Sequence, residues 1–144
     1  MSVFPNSSAT QLQTLLDGIQ PANDGDLITA EHHNSLRGAI DLIAGSLPKI
    51  AAGQTSPGVG WQDYAGGAGL FIDVDTSAAG FTSTPTYITC LGGASQHWAL
   101  TGGGAVYSPT PTQFRIYVRW PDGAQLRPPT ATANGWHVKW MAIQ

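Results

Sequence analysis

The sequence contains little charge and a single cysteine. Only 10% of the 144 residues are charged, and the formal net charge is −3. Cys90 alone cannot form an internal disulfide, which excludes a disulfide-stapled fold, and its place in a strand-like stretch predicts a small buried side chain. Because the chain has six Lys and Arg residues and no basic cluster, nucleic acid is not an expected partner.

Long apolar runs are also missing. No stretch approaches the roughly 20 residues that span a bilayer, so we expect no membrane insertion. The N-terminus MSVFPNSSATQL lacks the cationic start and apolar core of a signal peptide, which predicts synthesis in the cytoplasm without one. Nucleotide-binding and serine-hydrolase motifs are absent. The sequence therefore predicts no enzyme, no cofactor, no metal site and no catalytic residue.

Residues 1–48 are predicted to be helical. Ser8 and Gln11 form a capping-box pattern ahead of leucines at helical spacing, and Pro21 ends that element. Thr29 is the predicted N-cap of a second helix, and Pro48 ends it.

The second predicted helix carries a narrow apolar stripe. Its members, at spacings of four, three and four, are Leu36, Ile40, Ile43 and Leu47. Isolated helices of this length are only marginally stable in water, so the stripe needs a partner. Either the C-terminal part of the chain or further copies of the same helix can supply it. We favour self-association.

Residues 49–69 are rich in Gly, Ala and Pro and are predicted to be a linker. Residues 70–144 then alternate with period two, which indicates strands separated by turn signals. The predicted strands are Leu70–Asp75, Thr86–Leu91, His97–Leu100, Gly104–Tyr107, Phe114–Trp120 and Trp136–Ile143. The fold class is therefore mainly β, an antiparallel sandwich or barrel behind a short helical segment.

Asp73 and Asp75 share one face of the first of these strands. Two carboxylates that lie two residues apart on one strand can serve glycoside hydrolysis or bind calcium, although the D-x-D pattern is common. A solvated strand face is the simplest explanation, and an intermediate one is ion pairing, between strands or between subunits, with Arg115 or Arg119 on the polar face of another strand. We favour ion pairing.

Aromatic residues are concentrated in the second part of the chain, where all except Phe4 lie from Trp61 onward. Side chains on polar faces or beside loops can stack on a sugar ring while polar neighbours bind its hydroxyls. The candidate sugar contacts are His97, Trp98, Asp73, Asp75, Arg115, Tyr117, Arg119 and His137. Packing of the aromatic rings between subunits is the alternative.

Three segments of the second half, GFTSTPTYI, FRIYV and the terminal WHVKWMA, resemble the H-type lectin family. In the last segment, Trp140 and Ala142 match the family's closing W-x-A strand. The resemblance implies a six-stranded antiparallel β-sandwich, a homotrimer, and binding of N-acetylgalactosamine-type sugars between subunits. The chain departs from the family in the Gly- and Pro-rich insertion 92–112.

The segment NDGDLITAEHHNSLRGAIDLIA is similar to a G-D-x-I-T-A-x-x-x-N-x-L segment of phage tail fibres and related contractile injection system proteins. The matching residues are Gly25, Asp26, Ile28, Thr29, Ala30, Asn34 and Leu36. The resemblance implies attachment to other tail or baseplate proteins through the N-terminal segment, ahead of a trimeric distal part.

Together these features predict a trimeric tail-fibre or spike-like protein of a phage or contractile injection system. Its place would be the virion or an extracellular injection particle, where a lectin-like head binds cell-surface glycans. The alternative is a structural cap or baseplate-associated protein without a ligand, and a third hypothesis is a glycan hydrolase that uses Asp73 and Asp75.

Overall fold

The computed structural model describes residues 13, 14, 16–19, 25, 27 and 29–144. The chain divides into two compact units, Met1–Pro48 and Lys49–Gln144. The capping box predicted at Ser8 and Gln11 lies outside the described residues. No described helix is long and apolar enough to cross a membrane.

Helix α1, Ala30–Ser46, begins and ends where the sequence predicts. The Thr29 hydroxyl accepts a hydrogen bond from the backbone N–H of His32 at 3.2 Å, which caps the helix. Leu47 is extended, as a residue before proline usually is.

The apolar stripe of α1 lies in solvent. The exposed fractions of Leu36, Ile40, Ile43 and Leu47 are 51%, 56%, 42% and 66%, whereas Ala39 is the buried residue of this helix. An exposed stripe is what self-association requires, and the trimer stays a prediction.

In the described part of the chain, seven strands form two antiparallel sheets, so the mainly β prediction is confirmed and the expected count of six is corrected. The strands are β1 (Ile50–Gln54), β2 (Gln62–Tyr64), β3 (Gly69–Asp75), β4 (Thr86–Gly92), β5 (Val106–Tyr107), β6 (Gln113–Val118) and β7 (His137–Ile143). One sheet has the order β1-β7-β4 and the other has the order β2-β3-β6-β5.

The core lies between the inner faces of the two sheets. In the four-stranded sheet it is formed by the alternating apolar residues of β3 and β6, where Ile72 pairs with Ile116. In the three-stranded sheet, Val138 of β7 is buried and Tyr87 of β4 packs against the core. The rings of Tyr87 and Phe114 lie 4.5 Å apart between centroids, so the two sheets are in direct contact.

The segment 49–69, predicted to be a linker, instead supplies β1 and β2. Gly53 of β1 pairs with Trp140, and a Cβ on Gly53 would lie 2.8 Å from the Trp140 ring. The glycine that made this stretch resemble a linker therefore makes room for an indole of the neighbouring strand.

A short helix α2, Pro128–Ala133, lies between β6 and β7 and begins with a proline. Two further expectations are corrected. The predicted strand His97–Leu100 is a 3₁₀ turn, His97–Ala99. Cys90 is exposed because it lies on the outer face of β4.

Candidate functional site

The outer face of the four-stranded sheet carries a cluster of aromatic rings centred on Tyr117 of β6. Its ring centroid lies 5.0 Å from that of Tyr64 on β2 and 4.9 Å from that of Tyr107 on β5, both at edge-to-face angles. Phe71 of β3 is 5.9 Å away. Three tyrosines from separate strands thus present rings and hydroxyls on one face.

These tyrosines border a cavity of about 590 Å³, which we call the tyrosine cleft. Its lining consists of Tyr64, Ala68, Gly69, Thr101, Gly102, Tyr107, Tyr117, Val118 and Arg119. The cleft lies where β3 begins and β6 ends. There the loop after the 3₁₀ turn reaches the sheet through the Thr101–Arg119 bridge.

Two glycines bring the backbones close enough to form this cleft. A Cβ on Gly69 would lie 2.6 Å from the Val118 carbonyl oxygen. Gly102 has φ +97°, and a Cβ there would contact the Tyr117 carbonyl oxygen. Neither position accepts a side chain without displacement of β6.

Beside the aromatic cluster, Arg115 binds Asp73, its direct cross-strand partner, as predicted. The guanidinium Nε and Nη2 donate to the two carboxylate oxygens at 2.7 Å each, a bidentate arrangement. These hydrogen bonds lower the pKa of Asp73 below its usual value and raise that of Arg115. The guanidinium also lies 4.2 Å from the centroid of the Phe71 ring.

Among the described residues of this chain, Asp75 forms no ion pair with an arginine, so its predicted pairing between strands is not found, and pairing between subunits stays a prediction. Its register partner on β6 is Gln113, and its carboxylate accepts a hydrogen bond from the Ser77 N–H at 2.8 Å. Hydrogen bonding by the Ser77 side chain, followed by that of its backbone N–H, lowers the pKa of Asp75 below its usual value. A general acid of a glycosidase needs a raised pKa, whereas both carboxylates here have a lowered one, which weighs against the hydrolase hypothesis.

Of the remaining predicted sugar contacts, Tyr117 and Arg119 line the cleft, whereas His97, Trp98 and His137 do not. Trp98 is 83% exposed in the 3₁₀ turn, and the Nδ1 atom of the neighbouring His97 is buried without a hydrogen-bond partner. His137 lies on β7 of the other sheet, where its Nδ1 is 3.0 Å from the Gly135 carbonyl oxygen. Within the described residues, no group of three or more His, Cys, Asp or Glu is placed to hold a metal ion.

The sequence analysis missed Tyr64, Tyr107 and Thr101 as cleft residues. For Tyr107, the alternation of the strand is the signal in the sequence. Its neighbour Val106 packs on the core, so Tyr107 points outward. Tyr64 carries no such signal, since the glycine-rich sequence around it does not indicate a strand.

Comparison of the chain with protein-family models, with curated proteins and with solved structures finds no match.

Proposed function

We propose that this protein is a glycan-binding head of an oligomeric tail-fibre or spike-like particle, and that the tyrosine cleft binds the sugar. The carrying observation is the cleft itself, with three tyrosine rings around about 590 Å³ on the solvent face of a sheet. A volume of this order is typical of sites for small ligands.

The chemistry of the lining suits a saccharide. Tyrosine rings offer apolar faces for the C–H groups of a pyranose, and their hydroxyls both donate and accept hydrogen bonds. Because the rings come from three strands of one sheet, they are held by the ladder and lose little conformational freedom when a ligand binds.

The exposed stripe of α1 supports the oligomeric part of the proposal. Four apolar side chains in solvent on one helix favour assembly with other copies. Several heads on one particle would bind a glycan-coated surface together, so that weak individual contacts add to a strong attachment.

The first test is a glycan array probed with the wild-type chain and with Tyr64→Ala. Tyr64 is 49% exposed, so its removal should leave folding intact. Loss of one aromatic ring should weaken the free energy of glycan binding by about 1 kcal/mol, which is roughly a fivefold loss of affinity.

Trp98→Ala is the matched control, because it removes an exposed aromatic side chain that does not line the cleft. Glycan binding that depends on Tyr64 and not on Trp98 supports the cleft. Binding that depends on Trp98 alone would move the site to the 3₁₀ turn, and an array without any signal would refute the proposal.

One observation favours the structural alternative. The outer face of the three-stranded sheet exposes Ile50, Ile88, Met141 and Ile143 by 59%, 53%, 40% and 37%. These side chains lie on neighbouring strands, with Ile143 paired to Ile50 and Met141 paired to Ile88. A structural protein would use such a face for assembly, in which case Ile88→Asp would change the solution mass and the array would stay blank.

A further inference from the structure

Arg119 is the one charged residue among those that line the tyrosine cleft. Two acids of the same sheet are already paired with other arginines. Asp63, next to Tyr64, pairs with Arg127, and Asp73 pairs with Arg115. In the described part of the chain, the Arg119 side chain has no ion pair and no hydrogen bond, so its positive charge is uncompensated at the cleft.

The backbone of Arg119 is held in place. Its N–H donates to the Thr101 carbonyl at 3.1 Å, and its own carbonyl accepts from the Thr101 N–H at 3.0 Å. On the adjacent strand, a Cβ on Gly69 would lie 3.4 Å from the Arg119 Cβ, so the glycine leaves the stem of the arginine uncovered. The backbone that carries this unpaired guanidinium is therefore fixed at the edge of the cleft.

Arg115, on the same face of the sheet, is an arginine with an acid close enough to bind. Arg115 binds the Asp73 carboxylate through two parallel hydrogen bonds, the geometry that guanidinium groups prefer with planar anions. Arg119 has the same donors, and none of the acids that the structure describes forms an ion pair with it. The chain has a net charge of −3, whereas the cleft carries an unpaired positive charge. Binding of an acidic ligand at the cleft explains this difference in sign.

We propose that the tyrosine cleft selects acidic saccharides, whose carboxylate or sulfate group binds Arg119 while the sugar ring packs on the tyrosines. This inference rests on the proposed function, because it names the ligand class of the same site. Neutral sugars would keep the ring contacts and lose the ionic one.

The test uses the full chain on an array that presents matched oligosaccharides of galactose, of galacturonic acid and of sulfated galactose, together with other neutral and acidic glycans. The variants are Arg119→Gln, Arg119→Lys and Lys139→Gln. Lys139→Gln removes the same charge from an exposed position on β7, in the other sheet. Thermal unfolding of each variant checks that the fold is intact.

We expect wild-type binding to favour acidic glycans over their neutral counterparts, and to weaken with added salt. Arg119→Gln should lower the affinity for acidic glycans about tenfold. Arg119→Lys should retain part of it, and Lys139→Gln should leave it unchanged. Preference for galacturonic acid over sulfated galactose identifies a carboxylate as the bound group, and the reverse preference identifies a sulfate.

Two results would overturn the inference, and they differ. If wild type binds neutral glycans as tightly as acidic ones, or if Arg119→Gln behaves like Lys139→Gln, the acidic ligand is refuted while the glycan-binding function stands. If no glycan binds at all, the proposed function fails first and the inference fails with it.

Discussion

Replacement of Gly69 by alanine tests whether the cleft depends on the close approach of β3 and β6. The new Cβ would lie 2.6 Å from the Val118 carbonyl oxygen and 3.4 Å from the Arg119 Cβ. Unstrained contacts between such atoms are about 3.5 Å or longer, so the two strands must separate by several tenths of an ångström. Both atoms that move border the tyrosine cleft.

The cost of forcing an extra methyl group into a tight contact is about 1–3 kcal/mol. In a folded unit of about 100 residues, each kcal/mol lowers the melting temperature by roughly 4–8 °C. We therefore expect Gly69→Ala to melt several degrees below wild type in a thermal scan followed by circular dichroism. Glycan binding should weaken as well, because β6 carries Tyr117 and leads directly into Arg119.

Gly104→Ala is the matched control, because no atom lies within 4 Å of a Cβ at that position. There the substitution only restricts the unfolded chain, so stability should stay within about 0.5 kcal/mol of wild type or rise slightly. If Gly69→Ala melts at the same temperature as Gly104→Ala and binds equally well, the two strands do not meet at Gly69 as described here.

Three further predictions concern the core, the ion pair and the helix. Ile116→Ala should lower the free energy of unfolding in urea by about 2–5 kcal/mol, because Ile116 is fully buried, whereas Ile88→Ala on an exposed face should cost much less. Since the pKa of Asp73 is lowered in the folded state, the contribution of its carboxylate to stability is present above the ordinary pKa of 3.8 and is lost as pH falls through the lowered value. The difference in free energy of unfolding in urea between wild type and Asp73→Asn should therefore disappear in acid. A constant difference from pH 2 to pH 7 would contradict this prediction. Ile40→Asp should reduce the solution mass measured by light scattering while Asn34→Asp should not, and a monomeric wild-type chain would remove the basis of the oligomer.

Local patterns were sufficient to predict the helix α1 and most of the strands. Thr29 can cap and Pro48 cannot continue a helix, whatever surrounds them. In β3 and β6, side chains of period two separate a core face from a solvent face, so the outward direction of Asp73 and Arg115 follows from their positions alone.

Local patterns failed for short strands and for small residues, whose conformation depends on contacts with residues far away in the sequence. β1 and β2 contain too few apolar residues to indicate strands, and Gly53 makes sense only once the Trp140 ring is seen to occupy the space beside it. Likewise, His97–Ala99 has strand-like composition but folds as a 3₁₀ turn.

The sequence by itself determined which side chains of each strand point outward, because alternation is a property of the strand. Only the tertiary structure decided which of them meet. Strand register places Arg115 directly opposite Asp73, whereas Arg119 lies four residues further along the same face. Strand order then brings Tyr64, Tyr107 and Tyr117 together from distant parts of the chain, and places among them the Arg119 side chain, which has no ion pair with any described residue.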